Sequence, residues 1–250
     1  MEAGMEKIRL NVIGSDKRMT HLKRLLAPYS DPDGRPVYIY PPNVMVNGDE
    51  LDKLSPETNA VILYCRGDEK SLRERGLLFA NYMDDEDFTL KNAALTAEAA
   101  LKLIMESTDK GLYDLKILIV GFGRIGAALS GLLYRLGVDI DIATGSSARQ
   151  AAAFARKVIP ISSLDFSGYD IVVSTVPKKI AEDCKIYTFK ENAIFIDLAG
   201  EQGINMDLAR YLSVKADYYP ALPAKYSPET AAAAMKDVVL KVLNTLLGAG

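Results

Sequence analysis

Three glycines at a fixed spacing carry the clearest chemistry in this chain. Gly121-Phe122-Gly123-Arg124-Ile125-Gly126 follows an apolar, β-rich run, Leu115 to Val120, and opens a helical stretch that ends at Gly137. In that context the pattern binds the pyrophosphate of a dinucleotide. The first glycine allows the tight turn, the second lets the backbone approach the phosphates, and the third lets helix and strand pack closely. Amides at the start of the helix complete an anion site. All six residues, Gly121 to Gly126, are therefore expected to contact cofactor. The next strand decides which dinucleotide is held, because an acid at its end would hold both ribose hydroxyls of NAD. Here that end falls at Thr144, and Asp141 comes too early. Thr144, Ser146, Ser147 and Arg149 offer hydroxyl and cationic donors with no competing carboxylate, which favours the 2′-phosphate of NADP over NAD. Ser146 or Ser147 would equally serve as the N-cap of the helix that follows. Thr175, Val176 and Pro177 leave a further strand on the edge where such sheets bind ligands. Asp197-Leu198-Ala199-Gly200 closes another, and reads equally well as a site or as a turn.

These residues must be positioned by alternating strands and helices. IRLNVIG (Ile8 to Gly14) reads as a strand and turn, followed by a helix through Leu26. VYIY (Val37 to Tyr40) and AVILYC (Ala60 to Cys65) read as further parallel strands, whereas the charged stretch from Asp68 to Asp87 gives no clear pattern. A helix is expected over Thr96–Glu106, with Thr96 as its N-cap, Glu98 as a first-turn acid and Met105 on its apolar surface. Strands follow at Val138–Ala143, Lys157–Ile161, Asp170–Pro177 and Ala193–Gly200. Ser227-Pro228-Glu229 opens a last helix with an apolar stripe from Met235 to Leu246. The pattern predicts two Rossmann-like, doubly wound α/β units with parallel sheets, the second holding NAD(P). Residues 1–91 form the first, with helix 227–250 packing back on it, and residues 92–226 form the second.

Composition narrows the function. With 30 basic and 33 acidic residues the net charge is −3, and no basic run offers a nucleic-acid surface. No apolar stretch is long enough to span a bilayer, and MEAGMEKIRL has no signal-peptide core. Two distant cysteines, Cys65 and Cys184, argue against a disulfide scaffold and fit a reducing cytoplasm. One histidine and two cysteines leave structural zinc sets unfilled, so no metal is expected. His21, inside a helix, makes a poor catalytic base.

From Asn92 onward the chain resembles the A-subunit family of dipicolinate synthase, NAD(P)-binding oxidoreductases of spore-forming bacteria. The resemblance rests on Asn92 with Thr96-Ala97-Glu98, on GFGRIG, on SSAR after the second strand, on STVP, on IFIDLA and on ALPAKYSPETA. Gly14-Ser15-Asp16-Lys17-Arg18 is similar to that family's G-x-D-x-R turn. Three departures stand out: residues 37 to 83 look short, Glu201 stands where the family carries arginine, and Gly145 replaces a strand-end arginine. The resemblance implies oxidation of a cyclic dihydro- or tetrahydrodipicolinate to dipicolinate, a role in sporulation and a smaller B-type partner subunit. Candidate substrate contacts are Asp16 and Arg18 after the first strand, Asn92, Thr96 and Glu98 at the entry to the second unit, and Lys225 before the last helix. The bland reading makes Arg18 a solvated surface charge. Alternatives are a 2-hydroxyacid-dehydrogenase-like enzyme, which would want a histidine late in the chain, and a non-catalytic nucleotide-binding assembly subunit. No side chain declares itself as catalytic proton donor, and a homodimer stays open.

Overall fold

The computed structural model describes residues 6–54, 59–145, 147–199 and 203–248. Ser146, Gly200 and Glu201, singled out above, lie outside the described residues. The chain forms two compact units, Met1–Asn92 with Pro223–Gly250, and Ala93–Leu222.

The first unit runs β1 (Ile8–Val12), α1 (Lys17–Leu26), β2 (Arg35–Ile39), β3 (Met45–Val46), α2 (Gly48–Leu54), β4 (Val61–Tyr64), β5 (Arg66–Gly67), α3 (Glu69–Glu74) and β6 (Leu78–Asn81). Its main sheet is parallel, in the order β1-β2-β4-β6, while β3 and β5 pair separately. Alternation along each strand splits the core between two faces. Val37, Ile39, Val61 and Leu63 meet Met19, Leu22 and Leu26 of α1 and Met235, Val238, Val239 and Leu243 of the C-terminal helix, Pro228–Leu247. Tyr40, Ile62 and Tyr64 meet Leu51 and Leu72 on the other face. Ser227 occupies the N-cap of the C-terminal helix but makes no side-chain capping bond; Pro228 fixes its first turn.

Helix α4 (Glu86–Glu106) starts ten residues before the expected Thr96. Asp85 is the capping group, its Oδ1 accepting the Phe88 amide at 2.8 Å. Thr96 is therefore no N-cap and Glu98 no first-turn acid: both lie mid-helix, Thr96 buried and Glu98 exposed. Met105 is also exposed, so the buried stripe there is Ala99, Leu103 and Ile104.

The second unit continues with β7 (Ile117–Val120), α5 (Arg124–Arg135), β8 (Ile140–Thr144), α6 (Ala148–Ala151), β9 (Lys157–Pro160), β10 (Ile171–Ser174), α7 (Asp183–Ile186), β11 (Ile194–Asp197), α8 (Met206–Tyr211) and β12 (Lys215–Tyr218). All strands are parallel, in the order β12-β11-β10-β7-β8-β9. Chain order therefore reverses between β7 and β10, the position at which dinucleotide folds open a crevice. The first sheet, by contrast, follows chain order throughout its described strands. Helix α6 is a single turn, and Ser147 at its N-cap makes no side-chain capping bond.

Candidate functional site

The glycine turn sits where the strand order reverses. Gly121 has φ +100°, a left-handed backbone that favours glycine, and its amide donates to Ala143 O at 2.8 Å. A Cβ there would stand 2.4 Å from Thr175 Oγ1 and 2.8 Å from Val176 Cγ2. Thr175 is fixed in turn, its amide and hydroxyl both donating to Val120 O, at 2.8 and 3.1 Å. The exits of β7 and β10 are thus interlocked. At Gly126 a Cβ would lie 2.2 Å from Gly121 O, so only glycine lets α5 start this close to the strand.

Gly123 differs from both. It is exposed, occupies the N-cap of α5, and a Cβ on it would meet nothing within 4 Å. The first turn of α5 carries no acid and no side-chain cap. Its earliest intrahelical bond runs from the Ala127 amide to Gly123 O at 2.8 Å, and amides ahead of it have no acceptor within the helix. The backbone thus faces open space with donors and the positive end of the helix dipole, which suits a phosphate. Phe122 is half-buried, its ring 6.0 Å from that of Phe154. Arg124 is exposed and Ile125 half-buried.

Thr144 is the last residue of β8 and is buried. Asp141 lies three residues earlier, about 10 Å back along the strand. Its Oδ2 accepts from Arg156 Nη2 and from the Tyr169 hydroxyl, each at 2.7 Å. Burial first, and then this bond, push the Tyr169 phenol up. Asp141 is thus occupied in the fold. Beyond Thr144, Ser147 is half-buried and Arg149 exposed, while past β10 Val176 is half-buried and Pro177 exposed. Asp197 serves a turn, with Oδ1 accepting the Ala199 amide and Oδ2 the Gly203 amide.

In the first unit Asp16 and Arg18 come together. Asp16 caps α1, with Oδ1 accepting the Met19 amide at 2.8 Å, and its Oδ2 lies 3.2 Å from Arg18 Nη2. Arg18 is only 2% exposed, which corrects its reading as a solvated surface charge. It folds inward from the first turn of α1, and its Nε is buried without a partner among the described residues. Sequence reasoning missed its neighbours. Cys65, just past β4, is a half-buried thiol pushed up to about 11 by burial, with Arg66 and Arg18 pulling the other way. Tyr82 is buried and donates to Tyr40 O at 2.9 Å; burial raises its phenol. The only advance signal was position, since Cys65 ends a strand on the carboxyl edge. Lys225 instead lies over the Tyr226 ring, 5.1 Å from its centroid, and Asn92 is half-buried in α4. His21 Nδ1 is 2.6 Å from Arg24 Nη2, a helix-surface contact. Among the described residues no group of three potential metal ligands occurs, and no helix is long and apolar enough to cross a membrane.

The second unit has a Rossmann-type fold, with its glycine turn at the reversal of strand order. No family model matches the chain. It is 24% identical over 163 residues to the A-type subunit of dipicolinate synthase of Bacillus subtilis (strain 168), a match covering 63% of this chain and 55% of that protein. The chain thus spans little more than half the length of the curated relative it matches. The crystal structure of the dipicolinate synthase A chain from Bacillus subtilis superposes with a TM-score of 0.80 at 17% identity, covering all of both chains. The apo-structure of D-lactate dehydrogenase from Escherichia coli superposes at 0.71 with 12% identity, over 97% of each chain. Sequence and fold together place the A-type subunit of dipicolinate synthase among the protein's relatives.

Proposed function

We propose that the protein is an NAD(P)-dependent oxidoreductase acting on a small cyclic dicarboxylate of the dihydro- or tetrahydrodipicolinate type, with dipicolinate as product. The observation that carries this reading is Gly123, a helix-capping glycine with open space over its backbone, at the point of strand reversal. Gly121 to Gly126 would hold the pyrophosphate, with Thr175, Val176 and Pro177 beside it. When bound, the nicotinamide supplies a hydride acceptor, while the protein contributes orientation and electrostatics. NADP is the preferred cofactor, because Asp141 is tied to Arg156 and Tyr169 and leaves the end of β8 to Thr144, with Ser146, Ser147 and Arg149 beyond.

Arg18 is the first candidate for a substrate carboxylate. A buried guanidinium that among the described residues bonds Asp16 and leaves Nε without a partner has donors to spare, and such groups are costly unless something pairs with them. Asp16 would orient it, with Asn92, Thr96, Glu98 and Lys225 as further candidates. A B-type subunit is the expected partner, and the cytoplasm of a sporulating cell the expected setting. The fold shared with D-lactate dehydrogenase favours a second reading, a 2-hydroxyacid dehydrogenase, although the chain's single histidine is His21.

Reduction of NADP and NAD should be followed spectroscopically with the aldolase-derived dicarboxylate, with and without a B-type subunit, and with D-lactate as rival substrate. Turnover of the dicarboxylate is expected. Turnover of D-lactate alone would favour the second reading, and binding of dinucleotide without any turnover would make the protein a nucleotide-binding assembly subunit.

A further inference from the structure

Asp197 closes β11 with its side chain fully buried, and its partners among the described residues are backbone amides alone. Oδ1 accepts from Ala199 at 2.9 Å and Oδ2 from Gly203 at 2.8 Å. Gly203 O then accepts the Ile180 amide at 2.7 Å, and the Leu198 amide donates to Ser174 O at 2.9 Å. The carboxylate thus ties the chain just past β11 to Gly203, and the Gly203 carbonyl in turn holds the chain that has left β10. The spot is tight: a Cβ on Gly203 would stand 3.1 Å from Asp197 Oδ2 and 3.3 Å from Ser174 Oγ, which is buried and has no partner among the described residues. Burial without a cation raises the Asp197 pKa, and the two amides work against that rise. A turn alone does not require such a costly group, since asparagine makes the same local turn. What only a carboxylate offers is an acceptor oxygen to each of two amides, because the second arm of asparagine is a donor.

The location gives the tie a purpose. In such sheets the glycine turn and the end of the second strand serve the adenosine side, here β7 to β9, so β10 to β12 form the half that receives the second mononucleotide. Asp197, Ser174, Ile180 and Gly203 all belong to that second half. We propose that Asp197 is a positioning residue for the nicotinamide half of the dinucleotide: through Ala199, Gly203 and Ile180 it holds the carboxyl ends of β10 and β11 in the shape that meets the ligand. This rests on the dinucleotide reading above and adds a residue to it.

Asp197→Asn keeps the shape and turns one acceptor into a donor facing an amide. Without ligand, the amides of Ala199, Gly203 and Ile180 should exchange with solvent about tenfold faster in the variant, measured by NMR. In titrations, NADPH and NADH should bind about tenfold more weakly, while AMP, which probes the adenosine half alone, stays within about twofold. Gly203→Ala retains the carboxylate but pushes a Cβ against Oδ2, and should reproduce the split if Asp197→Asn does not fold. Equal loss of AMP and dinucleotide affinity, or unchanged exchange at the three amides, would overturn the proposal. A wild-type protein that binds neither dinucleotide overturns the functional reading and the proposal with it. Normal wild-type binding with an unaffected Asp197→Asn overturns the proposal alone.

Discussion

Replacing Gly123 by aspartate should move stability and affinity in opposite directions. At φ −79° and ψ −165° the position accepts any L-residue without strain, and the added Cβ meets nothing within 4 Å. Aspartate is also a better N-cap than glycine and complements the positive end of α5, whose first turn has no acid of its own. The ligand-free protein should therefore gain about 0.5–1 kcal/mol, a rise in Tm of roughly 2–4 °C for a unit of this size. The effect on binding is opposite and larger. A carboxylate within about 4 Å of a phosphate charge repels it by roughly 4 kcal/mol at an effective dielectric constant near 20. Even halved by solvent screening, and with the capped amides withdrawn from the ligand, the loss is about 3 kcal/mol, or at least a hundredfold in affinity. Thermal melts without ligand give the first quantity and calorimetric titration with NADPH the second. If affinity stays within about twofold, the pyrophosphate does not pass over Gly123. A fall in stability and affinity together would mean that the turn is closed and merely structural.

Three further outcomes follow from other positions. Thr144→Asp places a carboxylate at the end of β8, so NADPH should bind at least about tenfold more weakly while NADH holds or gains; a wild-type protein that prefers NADH tenfold would contradict the reading. Arg18→Gln should raise the KM for the dicarboxylate at least about tenfold and leave NADPH affinity within about twofold; because the side chain is buried, a stability cost of about 1–3 kcal/mol should accompany it, and normal KM would place the carboxylate elsewhere. Asp170 is desolvated, but the Lys116 amide at 2.8 Å and the ammonium groups of Lys190 and Lys110 outweigh this and hold its carboxyl below the usual range. A depressed pKa stabilises the fold above the unfolded value and is lost as pH falls through the folded one. Asp170→Asn should therefore cost about 1–2 kcal/mol in urea denaturation at neutral pH, and the gap should narrow progressively below about pH 4; a gap independent of pH would remove the ionic account.

The second unit was the more legible because its central strands are buried on both faces and read as continuous apolar runs, as at Ile117–Val120 and Ile171–Ser174. β12 escaped notice for the converse reason: only Ala216 of its four residues is buried. α3 and β6 were hidden in a charged stretch, where Leu72 is the buried residue of α3 and all four residues of β6 are half-buried. The start of α4 was misplaced because its cap, Asp85, is one of several acids in a row, and what selects it is the amide of Phe88. At the candidate site the glycines declared themselves through local backbone geometry. Arg18 did not, since nothing in its local sequence, at the first turn of a helix, marks a charged side chain as buried. Nor did the bonds of Asp141, whose partners lie 15 and 28 residues away.

The central claim, a dinucleotide held on the glycine turn of the second unit, is tested most directly by titrating the wild-type protein with NADPH and NADH and following the fluorescence of the reduced nicotinamide. Saturable binding at about 1–100 μM is predicted, tighter for NADPH than for NADH, and abolished in Gly123→Asp at unchanged far-ultraviolet circular dichroism. Failure of both dinucleotides to saturate the protein at roughly 1 mM, or equal binding in Gly123→Asp, would contradict it.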